Sequence, residues 1–194
     1  GSIPATGFES EGVSMASRGG VLNVSAEITT TDRESEGISI VGARATGRVS
    51  GDITTLGANS EAISIQGIGT ALTVSSTVMT TGKDSEGISS TGFGSSVVVN
   101  GTVMTEGNLS EGVSLVGLAM ALTNNGLIET EGTGSPGVFV AGTASILNGA
   151  GGTISADMSP AIVVYGQLSL VNRGTIEGFT DSSGNAIVLV GPWA

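Results

Sequence analysis

The chain contains no cysteine and no histidine. Disulfides, thiolate chemistry and imidazole bases or metal ligands are therefore excluded, and so is any serine hydrolase built on a histidine base. Aromatic residues make up only 3% of the sequence, too few to furnish a conventional aromatic core. Six basic residues stand against 17 acidic ones, and the net charge of −11 is expected to repel nucleic acid and anionic lipid rather than attract them. No apolar run approaches the roughly 20 residues of a membrane helix, so direct membrane insertion is not expected. Gly1-Ser2 reads as a cloning scar, and Pro192-Trp193-Ala194 ends without a natural stop. The sequence is thus expected to be a fragment of a longer protein from which any export or anchoring segment has been cut.

What is abundant is glycine, at 33 of 194 residues, together with Val, Ile, Thr and Ser. That mixture favours short strands and tight turns over helices. The pentapeptide Ser10-Glu11-Gly12-Val13-Ser14 returns in close variants at Ser35, Ser60, Ser85 and Ser110, every 25 residues. Degraded copies follow at Ser135-Pro136-Gly137-Val138, Ser159-Pro160-Ala161-Ile162 and Gly184-Asn185-Ala186-Ile187, with one interval of 24. Such unbroken periodicity predicts one elongated body over residues 3–194 with no internal domain boundary.

Within each repeat the apolar positions alternate, as in Gly37-Ile38-Ser39-Ile40 and Ala62-Ile63-Ser64-Ile65, which predicts a strand with one buried face. A second short strand follows (Leu72-Thr73-Val74; Val97-Val98-Val99) and a third closes the unit (Ile53-Thr54-Thr55; Val78-Met79-Thr80). Three strands per 25 residues make a triangular turn that can bury its inward residues only by stacking on its neighbours, at about 4.8 Å per turn. The predicted fold is all-β, a three-sided right-handed parallel β-helix of seven to eight turns and roughly 35 Å length. Val13, Ile38, Ile63, Ile88, Val113, Val138, Ile162 and Ile187 should form one inward ladder. Gly42, Gly67, Gly92, Gly117, Gly142, Gly166 and Gly191 are expected to close the first strand, where glycine allows the positive φ or close backbone approach a corner demands.

The stretches Leu122-Thr123-Asn124-Asn125-Gly126-Leu127-Ile128-Glu129-Thr130 and Leu170-Val171-Asn172-Arg173-Gly174-Thr175-Ile176-Glu177 resemble the Asn-x-Gly-x-Ile turns of bacterial autotransporter passenger domains. The resemblance covers nearly the whole chain, and the richness in Gly, Ser and Thr, the acidity and the lack of cysteine also resemble that family. It implies a right-handed β-helix at the bacterial cell surface, outside the outer membrane, acting as an adhesin. The implied partners are a host cell-surface or extracellular-matrix protein or glycan, or another copy of the chain. The same scaffold also serves as a passive stalk, and it carries enzymes in some passengers.

Four sets of residues are candidates for a site. Glu36, Glu61, Glu86 and Glu111, preceded by Glu11, would lie on successive turns about 5 Å apart, where like charges repel by roughly 1 kcal/mol per pair in water. They are secondary candidates for a cation such as calcium, against the simpler reading of a solvated acidic edge. The outward face of the first strand carries Ser14, Ser39, Ser64, Ser89 and Ser114 in the early turns, then Phe139, Val163 and Val188, with Ala141, Tyr165 and Val190 beside them. A polar surface turning apolar marks contact with a partner or with a missing part of the chain, and Phe139, Val163, Tyr165, Val188 and Val190 are the partner-binding residues this predicts. Thr30, Thr55, Thr80, Thr105 and Thr130 form a row that suggests ice binding, but their neighbours are irregular and partly charged, so they read as corner residues bonding to backbone. Asp157 and Asp181 could share adjacent turns as the acids of a polysaccharide-active enzyme, although no aromatic sugar platform accompanies them. No catalytic residue and no cofactor is expected, and the chain is read as a non-enzyme.

Overall fold

A computed structural model of the chain describes residues 1–178 and 185–191. Among them are twenty strands and no helix, and every strand pairing is parallel. The strands stack as a right-handed parallel β-helix of about seven turns. Coils one to seven are numbered here from the serine that opens each: Ser10, Ser35, Ser60, Ser85, Ser110, Ser135 and Ser159.

The first side of the triangle is built from strands such as Ile38–Ala43, Ile63–Ile68 and Ile88–Phe93. The second uses Thr46–Val49, Ala71–Val74 and Ser96–Val99, and the third Ile53–Thr55, Thr77–Thr80 and Thr102–Thr105. Pairing holds each residue against its repeat equivalent, Ile38 on Ile63 and Ile63 on Ile88, for example. Each inward residue is thereby shared between two interfaces. The predicted ladder is present, with Ile38, Ile63, Ile88, Val113, Val138 and Ile162 fully buried. Side two contributes Leu72, Val97 and Leu122, and side three Ile28, Ile53, Val78, Val103, Ile128 and Ile154.

The glycine column departs from its expected place at the corner but shows the positive φ and close backbone approach expected of it. Gly42, Gly92 and Gly117 lie inside the first strand, not at its end. What they answer is the close approach of the coil before: a Cβ on Gly67 would sit 1.6 Å from the carbonyl oxygen of Gly42. The corner itself comes two residues later, at a left-handed residue that is Arg44, Gly69, Gly94 or Ala119, with φ between 55° and 66°. Coil six lacks one residue there. Gly117 pairs with Gly142 and Met120 with Ala144, so Leu118 and Ala119 face Thr143 alone, and the Ala119 N–H donates to Thr143 Oγ1 at 2.7 Å. A gain of two residues before Thr153 and a loss of two before Ser159 cancel, so this missing residue leaves the single 24-residue interval. Strands Val113–Asn124, Val138–Asn148 and Ile162–Asn172 then run without interruption across two sides.

Buried polar ladders hold the corners. Thr30, Thr55, Thr80, Thr105 and Thr130 are fully buried, and each Oγ1 donates to the carbonyl of the serine five residues on, at 3.1, 3.0, 2.7, 2.7 and 2.5 Å. The backbone-bonding role read from sequence is correct, and the inward placement removes any surface hydroxyl row. The serines form a second chain through the interior. Ser60 N–H donates to Ser85 Oγ at 3.1 Å, while that hydroxyl donates to Gly57 O at 3.0 Å. One hydroxyl thus satisfies backbone groups of the preceding coil as both acceptor and donor.

The second half of the solenoid carries a third ladder. Val24, Val49, Val74 and Val99 occupy one buried column in coils one to four, and Asn124, Asn148 and Asn172 continue it. Asn124 Nδ2 donates to Asn148 Oδ1 at 2.9 Å, and Asn148 Nδ2 donates to Asn172 Oδ1 at 2.9 Å and to Thr175 O at 2.9 Å. Asn124 and Asn172 are the asparagines of the Asn-x-Gly turns, and Asn148 occupies the same place between them.

Candidate interaction surfaces

Glu36, Glu61, Glu86 and Glu111 stand one above another at the entrance to the first strand, half-buried. Loss of water around each carboxylate is the main cause that pushes all four above the ordinary carboxyl range. The neighbouring carboxylates add to it, Glu11 and Glu61 acting on Glu36, Glu86 on Glu61, and Glu111 on Glu86. Asp84 adds to the same push on Glu86 and Glu111. Beneath the column three of the five serines expected to face solvent are covered instead, while Ser14 is exposed and Ser89 half-buried. Ser39, Ser64 and Ser114 are only 5–6% exposed, and Ser39 and Ser64 hydrogen-bond to Glu36. Among the described residues no three acidic side chains converge on a common point as a bound metal ion would require.

In coils six and seven the column changes chemistry, for Pro136 and Pro160 replace glutamate. The apolar strip predicted from sequence is contiguous. Phe139 pairs with Val163 and Val163 with Val188, while Ala141 pairs with Tyr165 and Tyr165 with Val190. The rings of Phe139 and Tyr165 are 5.8 Å apart between centroids and tilted by 51°, a favourable aromatic geometry. Phe139, Val163, Val188 and Val190 are half-buried, and Tyr165 is 52% exposed. Phe139, Val163 and Tyr165 line, with Pro136, Pro160 and Glu111, a shallow depression of about 190 Å³. The structure therefore brings all five partner-binding candidates onto one face. Asp157 is exposed at a corner of coil six, and Asp181 lies outside the described residues.

A second apolar surface escaped the sequence reading. Ile68, Phe93 and Leu118 are paired in register on successive coils and are 59%, 54% and 54% exposed. They immediately follow the glycine column, so reading that position down the repeats (Ala43, Ile68, Phe93, Leu118) would have revealed them. At the N-terminal end of this ridge, Arg18, Ala43, Arg44 and Ile68 enclose a groove of about 250 Å³. At its other end, where the corner shortens, Met120, Thr143, Gln167 and Leu168 help line a cleft of about 420 Å³.

Comparison with protein-family models, with curated proteins and with solved structures finds no match to this chain. The fold and these surfaces are what its function must be argued from.

Proposed function

We propose that this chain is a segment of a bacterial cell-surface adhesin, of the autotransporter-passenger type, that attaches by a face and not by a pocket. The observation that carries the reading is the strip of Phe139, Val163 and Tyr165 with Val188 and Val190, apolar, continuous over three coils and outside the core. The preceding coils put serine and glutamate at the equivalent places, so the fold itself does not require apolar side chains there. An aromatic pair beside a shallow depression is the kind of anchor on which a protein or glycan partner packs. The partner is a host cell-surface or matrix component, or another copy of the chain. Binding of the purified chain to host cells and to immobilised matrix proteins and glycans, beside Tyr165→Ala, tests this. Saturable binding that the substitution weakens by tenfold or more, with an unchanged β-sheet spectrum, supports an adhesin; absence of binding to every surface refutes it.

A passive stalk is the second reading. It is favoured by the regularity of the inward columns, which continue from coil one to coil seven with a gain of only two residues, before Thr153, in coil six. A stalk requires that neither Tyr165→Ala nor Phe139→Ser alter attachment by a longer protein containing this segment.

A further inference from the structure

The corner ridge has a chemistry different from that of the rest of the surface, and it points to a ligand independently of the adhesin reading. Arg18 and Arg44 are both exposed and flank one groove whose floor is Ala43 and Ile68. Neither is in an ion pair; among the described residues the ion pair present is Lys83–Asp84. Two unneutralised guanidiniums beside one cleft are unusual on a chain of net charge −11. The nearest acidic column, at Glu36 and Glu61, lies seven residues back along the same extended stretch, roughly 20 Å away at strand rise. That exceeds the screening length of about 8 Å at physiological salt, so the local potential at the groove is positive although the whole molecule is negative. Arg44 also holds a left-handed backbone, φ 56°, at a corner filled by glycine in the two coils that follow. From this cationic groove the apolar ridge leads away along the solenoid axis through Ile68, Phe93 and Leu118, one rung every 4.8 Å or so.

We propose that this corner binds a single-chain anionic amphiphile, its head group between Arg18 and Arg44 and its apolar chain laid along Ile68, Phe93 and Leu118. A free inorganic anion would leave the ridge unused, and a neutral chain would leave the guanidiniums unused. A peptide strand gains little here, because the N–H and C=O groups of these strands already bond to the coils above and below and offer no edge to extend. Arginine matches a planar carboxylate or a phosphate equally, so a free fatty acid and an anionic lipid share the required chemistry.

Calorimetric titration of the chain with decanoate, kept below its aggregation concentration, tests the proposal beside hexanoate, decanol and vesicles containing phosphatidylglycerol. Decanoate should bind saturably at one site. Each methylene lying on a half-open ridge is worth about a twofold gain, half of what full burial gives, so hexanoate should bind roughly tenfold more weakly or worse. The double variant Arg18→Gln/Arg44→Gln should weaken decanoate about tenfold and leave decanol unchanged. Phe93→Ser and, separately, Ile68→Ser should weaken both ligands. All four side chains are exposed, and thermal melts check that the variants keep the fold. No saturable binding of decanoate, or binding indifferent to these substitutions, overturns the proposal. Binding to vesicles without binding of monomeric decanoate overturns it in favour of a corner that docks on a membrane surface.

Discussion

Coils two to four and coils six to seven are built on one plan and solve it differently. In the earlier coils a buried column is valine, the strand entrance carries glutamate, and the outward residue beneath it is serine. In the later coils the same three places hold asparagine, proline, and phenylalanine or valine. What stays constant is the inward aliphatic ladder and the serine that opens each coil. The interior therefore specifies the coil, while the exterior is free to change from a charged surface to an apolar one. Coil five is the joint: it keeps Glu111 and Ser114 outside and already has Asn124 inside.

The largest effects should come from breaking what both regions share. Ile63→Ala removes a fully buried side chain that packs between two coils and should cost about 2–5 kcal/mol, read from denaturant unfolding. Close behind is an exchange of the two interior solutions. Asn148→Val should cost about 2–4 kcal/mol, because it removes the acceptor of one Asn124 amide N–H, whose other N–H keeps Thr153 O, and the bonds that Asn148 donates to Asn172 Oδ1 and Thr175 O, even though valine is what the earlier coils use in that column. A cost near zero would mean that the asparagine ladder does not distinguish the halves.

A smaller loss is expected at the shared serine. Ser85→Ala removes a hydroxyl that accepts from Ser60 N–H and donates to Gly57 O, and should cost about 1–3 kcal/mol by the same measurement.

The acidic column gives a pH dependence peculiar to the earlier coils. Its carboxyls are pushed above their ordinary value of 4.5 in the folded chain, so the folded state keeps protons that the unfolded state releases. Their stabilising contribution is fully present below pH 4.5 and is lost as pH rises through the raised values. Glu86→Gln should accordingly raise the melting temperature at pH 7 and have a much smaller effect at pH 4, and a pH-independent effect would contradict the origin assigned to the shift.

The smallest change concerns coil four. Ser90 and Ser95 are fully buried with unpaired hydroxyls; the places equivalent to Ser90 hold Ile65 and Leu115, and those equivalent to Ser95 hold Ala45, Thr70, Met120 and Ala144. Ser95→Ala should stabilise the chain by about 1 kcal/mol, seen as a modest rise in melting temperature.

Much of this was legible in the sequence because stacking converts period into contact. Once Ile38, Ile63 and Ile88 recur at one interval, their mutual packing follows, and so does the adjacency of Phe139, Val163 and Tyr165. Column chemistry was harder to read where direction mattered. Thr80 is polar and was placed at a corner, but only the path of the chain shows that it points inward with Ser85, Thr80 donating to the Ser85 carbonyl and Ser85 to that of Gly57. The glycines looked like corner residues because glycine commonly serves there, whereas the constraint at Gly67 is a carbonyl oxygen of the coil before. The ridge of Ile68, Phe93 and Leu118 was in plain view in the repeat, one place beyond those glycines, and was hidden by taking the strand to have ended.

The most direct test of a fixed interior and a free exterior is to give coils six and seven the outer residues of coils three and four. Phe139→Ser, Val163→Ser and Tyr165→Thr, combined in one chain, should leave the unfolding free energy within about 1–2 kcal/mol of the parent, the worth of a surface aromatic pair and its neighbours, and should abolish surface attachment. Destabilisation as large as that of Ile63→Ala, or attachment that survives intact, would contradict the account.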